Sequence, residues 1–227
     1  MKMLSLLLSL MLFSCSQKLP EQTISAPAKA TTYLPEEGDV LFQKIGESPL
    51  PQAIRIATLS NFSHCGLVLR GRDGSWQVIE AIGPVQETPL QEWLERDHGH
   101  FTACRLKAAE RAAIPAWTEA SRKYLGRPYD LHFSLNDEAI YCSELVWKAW
   151  RDATGKELGH LEKLGDLNWL PATPVILGLE GHLPLERQMI TPVMISRASE
   201  LERIWGDDGS LPKKPISATP ELEWDQN

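Results

Sequence analysis

The sequence predicts an α+β domain, an antiparallel sheet with helices packed on it. Two observations carry this. Strand-like segments come first and helix-like segments follow, the order expected of α+β architecture and not of alternating βαβ units. A tight turn at 71–75, containing Arg72-Asp73-Gly74, joins two of the strands as an antiparallel hairpin. The 227 residues, 43% of them hydrophobic and 23% charged, suffice for one domain with a real core plus tails.

The elements follow in order. Gly38-Asp39 is a turn signal and Val40-Leu41-Phe42 a short strand. Pro51 to Leu59 reads as a helix with Ala53, Ile54, Ile56 and Ala57 apolar. His64 to Leu69 is a strand, and Trp76 to Ala81 returns beside it until Gly83-Pro84 breaks the run. Thr88-Pro89 predicts a helix start, with Thr88 as N-cap and Pro89 in the first helical position. His100 to Leu106 is a third strand. Ala108 to Leu125 is helical and interrupted near Pro115, ending at Gly126. Residues 157–188 give no readable pattern, and 193–205 reads as a last short helix.

The segment Ala139 to Trp150 is a helix with a cysteine in its first turn. Apolar residues at 142, 145, 146, 149 and 150 mark one buried face. A helix start carries unpaired N–H groups and the positive end of the dipole, and both favour a thiolate. Taken alone, Cys142 reads equally as a small core residue, since free cysteine is commonly buried.

Residues 1–14 read as an export leader. Lys2 is the positive n-region, and the apolar run Met3 to Phe13 is too short to span a bilayer. Its end, Leu12-Phe13-Ser14-Cys15, resembles a bacterial lipobox, which implies a lipidated Cys15 and a cell-envelope lipoprotein, sorted by Ser16 to the outer membrane. The alternative is an ordinary secretory signal. Residues 16–35 read as a flexible tether, 36–205 as the domain, and 206–227 as a disordered tail. A net charge of −7 argues against a nucleic-acid partner. Four cysteines, one of them Cys15, leave an odd number in an oxidising compartment, so at least one thiol is free. A Cys65–Cys104 disulfide between strands is one open pairing. There is no Cys-x-x-Cys pair, and no metal site or cofactor is expected.

His64 begins one hairpin strand and Glu80 nearly ends the other, so antiparallel pairing brings them side by side. Glu80 can then hold one ring nitrogen of His64 and leave the other for Cys142, a Cys-His-acid constellation. The alternative for Glu80 is a solvent-facing residue by strand alternation; Glu144 is a rival acid, expected at the surface or as a helix cap. Strand alternation puts His64 and Cys65 on opposite faces, so only one of them is expected at the site.

Five segments together resemble the circularly permuted papain-like amidases of the YiiX/YaeF type, relatives of NlpC-like cell-wall peptidases and of lecithin–retinol acyltransferase. They are Gly38-Asp39-Val40-Leu41-Phe42, Phe62-Ser63-His64-Cys65-Gly66, Val78-Ile79-Glu80-Ala81, Gly126-Arg127-Pro128-Tyr129-Asp130 and Tyr141-Cys142-Ser143-Glu144-Leu145-Val146. The resemblance runs from about residue 36 to 205 and takes in Ile190-Thr191-Pro192. It implies a permuted papain-like fold in which the histidine strand precedes the cysteine helix. It implies Cys142 as nucleophile, His64 as base, Glu80 as third member, and Tyr129 lining the site and assisting the oxyanion. It further implies an amide substrate in a peptide or lipid, and the expected envelope location points to cell-wall peptide. A lipid acyltransferase or thioesterase, and a non-catalytic binding protein, are the alternatives.

Overall fold

The computed structural model describes residues 32–211. The leader, Cys15, and most of the tether and tail lie outside the described residues. The architecture is the expected α+β one. Strands β1 (Val40–Gln43), β2 (His64–Arg70), β3 (Trp76–Ala81), β4 (Val85–Pro89) and β5 (Thr102–Leu106) are joined by a late strand at Leu201–Trp205. These six form one antiparallel sheet in the order β4-β3-β2-β1-β5-late strand. Helix α1 (Pro49–Thr58) lies between β1 and β2, α2 (Leu90–Glu95) follows β4, and α3 (Ile114–Arg122) and α4 (Cys142–Thr154) follow β5. The unpatterned region holds β6 (Glu162–Lys163), α5 (Thr173–Glu180) and β7 (Gln188–Met189), with β6 and β7 paired. Then come α6 (Pro192–Ser196) and the late strand, β8.

The two sheet faces bury different cores. On one, Val40, Phe42, Leu67, Leu69 and Ile79 pack against α3, α4 and α6. Helix α4 presents Leu145, Val146, Ala149 and Trp150, all buried, and Trp117 of α3 meets Trp150 edge-on at 5.0 Å. Trp117 also donates its indole N–H to the Val146 carbonyl at 3.1 Å. Each such large side chain contributes about 1.5–3 kcal/mol by leaving water, so this layer fixes α4 on the sheet. On the other face Leu41, Val68, Val78 and Ala103 pack under Leu90 and Trp93 of α2.

Three expectations are corrected. Thr88 does not cap a helix: residues 85–89 extend the sheet as β4, α2 starts at Leu90, and the Thr88 hydroxyl turns to Glu80. Residues 193–205 are not one helix, because α6 stops at Ser196 and Leu201–Trp205 pairs with β5. In both cases tertiary hydrogen bonding overrides local propensity. The docked chain also outruns the expected 36–205 at both ends. Tyr33 packs edge-on against Phe101 at 5.2 Å and donates to Asp39, while Asn61 N–H donates to the Gly209 carbonyl at 2.7 Å. No helix among the described residues is long and apolar enough to cross a membrane.

Candidate active site

The site lies where α4 begins over the start of β2. Glu80 and Val78 point to the α2 face of the sheet, as does His64 on β2. Gly66 faces them from β2. A Cβ there would lie 2.5 Å from Val78 Cγ1 and 3.3 Å from Glu80 Cβ, so only glycine lets the two strands close with Glu80 between them.

Glu80 is fully buried and does not face solvent. Four donors converge on it. Its Oε2 accepts from His64 Nε2 at 2.6 Å, Trp93 Nε1 at 2.9 Å and Arg96 Nη1 at 2.8 Å, and its Oε1 accepts from Thr88 Oγ1 at 2.6 Å. Burial alone would raise its pKa. The bonds from His64, Arg96 and Thr88 overcome that and hold it down to about 2, so Glu80 is an anion. The Trp93 ring stacks beside the His64 ring at 6.3 Å and limits how it can turn.

His64 uses Nε2 for Glu80, which leaves Nδ1 for Cys142, with which it shares a hydrogen bond. Burial disfavours its charged form, but the bonds to Cys142 and Glu80 win and raise the pKa to about 9. For Cys142 the order differs. A hydrogen bond from Cys65 lowers the thiol pKa most, burial opposes it, and His64 lowers it further, to a value well below the ordinary thiol range. The arrangement holds an imidazolium against a thiolate.

Helix α4 begins at Cys142 because Tyr141 is extended and the Glu144 carboxylate accepts the Tyr141 N–H at 3.2 Å. Ser143 Oγ donates to the Ile190 carbonyl at 2.9 Å, and Ile190 N–H donates to Tyr141 Oη at 3.0 Å. These two bonds seat the Ile190-Thr191-Pro192 segment on the helix start. Glu144 is neither exposed nor near His64: it is buried and pairs with Lys148 one turn on, at 2.8 Å.

Tyr129 is delivered by a clamped loop. Gly126 takes φ +81° and its N–H donates to the Val85 carbonyl at 2.9 Å, Val85 N–H donates to the Arg127 carbonyl at 2.8 Å, and Ile140 N–H donates to the Pro128 carbonyl at 2.9 Å. Asp130 ties off the loop by accepting from His132 N and Ser134 N at 2.8 and 2.7 Å. Tyr129 thereby hydrogen-bonds Cys142. Burial first, and the neighbouring cysteines next, raise its pKa well above the ordinary phenol value, so it stays a donor. The N–H of Cys142, first in its helix, belongs to no intrahelical bond and lies beside the sulfur.

Cys65 departs from expectation. It and His64 point to opposite faces of β2, yet both hydrogen-bond Cys142. The sulfur sits over the end of the strand, where both faces are within reach. Cys65, Cys104 and Cys142 are all free thiols, so the Cys65–Cys104 pairing is not made. Sequence reasoning also missed Thr88, Trp93 and Arg96. Their only signal is proximity in sequence to Glu80, and Thr88 reads in the sequence as a helix cap.

Cys142 opens into a cleft of about 740 Å³, its mouth included. Leu50, Ile54, Phe133, Leu167, Ile176 and Met189 line it, so its wall is apolar. Its few polar groups include the Arg187–Glu180 pair, with His132 Nδ1 3.3 Å from Glu180. The wall comes largely from 131–133 and 164–192, which include the stretch without sequence pattern. Among the described residues, no three His, Cys, Asp or Glu side chains are grouped to hold a metal ion.

A family model described as permuted papain-like amidase enzyme, YaeF/YiiX, C92 family, matches residues 34–205. The uncharacterized protein YiiX of Escherichia coli K12 is 35% identical over 190 residues, covering 80% of this chain and 90% of that protein. A crystal structure described as the metalloprotein yiiX from Escherichia coli O157:H7 superposes with a TM-score of 0.71 at 30% identity. It covers 77% of this chain and 99% of that one.

Proposed function

This chain belongs to the permuted papain-like amidase family of the YaeF/YiiX type, and from that premise we propose that it is a cysteine amidase with Cys142 as nucleophile. His64 is the base and Glu80 the group that orients and charges it. The single observation that carries this is the linked chain of buried bonds from Glu80 to His64 to Cys142. The thiolate attacks the amide carbon, and the developing oxyanion takes the Cys142 N–H and the Tyr129 hydroxyl. His64, through Nδ1, gives its proton to the leaving amine. Neutral after that transfer, it takes a proton from the water that cleaves the thioester, which frees the acid and restores the thiolate–imidazolium pair, while Glu80 keeps the ring aligned throughout and supports its charge whenever it is protonated.

The apolar cleft supports an amide whose acyl part is itself apolar, with an N-acyl lipid ahead of a muropeptide. The same cleft keeps a second reading alive, in which an alcohol or amine, not water, intercepts the thioester and the protein is an acyltransferase. We place the protein in the bacterial cell envelope, facing the periplasm from the outer membrane through a lipidated Cys15. Intact-mass analysis of the membrane fraction tests this, since Cys15→Ala should abolish the lipid mass and release the chain.

Activity is tested by incubating the purified protein with N-acyl lipids and with muropeptides, with and without an added alcohol, and reading products by mass spectrometry. Cleavage that is absent in Cys142→Ala and His64→Ala is the expected result. Binding of either substrate with no turnover in the unaltered protein overturns the enzyme reading in favour of a binding module.

A further inference from the structure

The sulfur of Cys142 has a neighbour that the catalytic scheme leaves without a task. Cys65 is fully buried, forms no disulfide, and hydrogen-bonds Cys142 through both its thiol and its backbone N–H. The strand register explains how a main-chain N–H comes to be available there. Val68 N–H donates to the Asp39 carbonyl, so the residues of β2 in phase with Val68, which are Gly66 and His64, turn their N–H groups toward β1. Cys65 is out of phase and turns its N–H toward β3. On that side pairing begins only at Leu67, opposite Ile79. The Cys65 N–H therefore has no strand partner, and the start of α4 brings the Cys142 sulfur to it.

We propose that Cys65 is a positioning residue: its S–H and N–H together hold the Cys142 sulfur as a thiolate and fix where it points in the cleft. This rests on the reading of Cys142 as nucleophile. The two thiols differ in a way that assigns the proton. Both are buried, but His64 hydrogen-bonds Cys142 and not Cys65, so the negative charge is held on Cys142; Cys65, kept above the ordinary thiol value by burial and by its bond to Cys142, is the donor. The other titratable groups facing the sulfur are His64 from β2, Tyr129 from the 126–130 loop and Tyr141 just before α4, with Glu80 behind His64. Of these only His64 carries a positive charge, so removing the Cys65 donor leaves His64 and Tyr129 to hold the thiolate.

The consequence has a signature that a packing role would not produce. A thiolate relieved of a donor has a higher pKa but is a better nucleophile once formed. Alkylation of Cys142 by iodoacetamide is measured by peptide mass spectrometry from pH 5 to 10, under reductant, for the unaltered protein, Cys65→Ala and Cys65→Ser. In Cys65→Ala the midpoint is expected to rise by about one pH unit, giving about threefold slower reaction on the acid side of both midpoints and about threefold faster reaction at the alkaline plateau. Cys65→Ser restores a donor and should return the midpoint toward that of the unaltered protein. Where Cys65→Ala does not fold, Cys65→Val fills the volume without a donor and gives the same reading. A folded Cys65→Ala or Cys65→Val protein with an unshifted midpoint overturns the positioning role alone. If Cys142 of the unaltered protein reacts near pH 7 no faster than free cysteine, the nucleophile reading falls, and this inference with it.

Discussion

Glu80 and Glu144 are both fully buried carboxylates, each beside a base, and their pKa values are shifted in opposite directions. Burial pushes both pKa values up. Glu80 is then pulled down to about 2 by the bonds it accepts from His64, Arg96 and Thr88, while Glu144 ends near 7. Glu144 accepts one backbone N–H, from Tyr141, and its other oxygen meets a lysine shared with Asp137 and the Asn136 carbonyl. Burial therefore does not distinguish a functional acid from a structural one. The number and aim of the donors does, because each directed donor stabilises the anion and none compensates for its own absence.

The sharpest way to break the comparison is to neutralise each acid in turn. Glu80→Gln keeps the shape but removes the charge that supports the His64 imidazolium, and it leaves Arg96 with only the exposed Glu92 carboxylate, 3.8 Å away. Turnover should fall about a thousandfold or more, by analogy with loss of the charged orienting acid in other triads, and the His64 pKa, read by NMR, should drop from its raised value near 9. Glu144→Gln should leave turnover within about threefold. If Glu144→Gln in a folded protein abolishes turnover while Glu80→Gln does not, the two roles are exchanged.

The next effect is on stability, and its sign separates the same pair. Glu144 is easier to protonate folded than unfolded. Its contribution is fully present below the ordinary carboxylate pKa of 4.5 and is lost as pH rises through about 7. Glu80 is the reverse: its contribution is present above 4.5 and lost as pH falls toward 2. Denaturant unfolding between pH 4.5 and 7 should therefore show a loss of about 2–3 kcal/mol that is absent in Glu144→Gln. A slope that survives the substitution would remove Glu144 as its source.

The pair also marks what the sequence could and could not convey. Glu80 and His64 were legible because a short turn fixes which residues of two strands stand together, and a hairpin is local. Cys142 was legible from helix periodicity and its place in the first turn. Thr88, Trp93 and Arg96 were not: Thr88-Pro89 carries a good helix-start signal and only the sheet edge, a tertiary partner, makes Thr88 a strand residue, while Trp93 and Arg96 reach Glu80 from α2 and the turn after it through tertiary packing. Cys65 was misread for a geometric reason. Alternation assigns side chains to faces, and a group lying over the end of a strand can touch both. The same limit applies to 197–205, whose pairing with β5 depends on a strand about a hundred residues earlier in the chain. The cleft wall around 164–187 is made of short turns and one apolar helix, with no period for a sequence to display.

Within the Glu80 cluster the donors should rank by charge. Arg96→Met removes the cation but keeps part of the stem that packs there. Because the Arg96 side chain is 22% exposed, solvent offsets part of the loss, and a stability cost of about 1–2 kcal/mol is expected. Turnover should fall about tenfold with KM unchanged, the pattern of a group acting through another, and the Glu80 pKa should rise.

Thr88→Val is the finest test, because it deletes one neutral donor and almost nothing else. The Thr88 hydroxyl gives its hydrogen to Glu80 Oε1 at 2.6 Å, the only bond among the described residues that this oxygen accepts. It also accepts from Gln86 Nε2 at 3.1 Å, a group that can turn to water. A neutral hydrogen bond contributes about 0.5–1.5 kcal/mol net, so turnover should fall two- to fivefold and stability by no more than about 1 kcal/mol. If donor aim is what makes Glu80 an anion, Thr88→Val and Arg96→Met should shift its pKa in the same direction, the former less. Should Thr88→Val instead reproduce the full loss of Glu80→Gln with the fold intact, the hydroxyl would be acting on His64 directly, and counting donors on the acid would no longer separate Glu80 from Glu144.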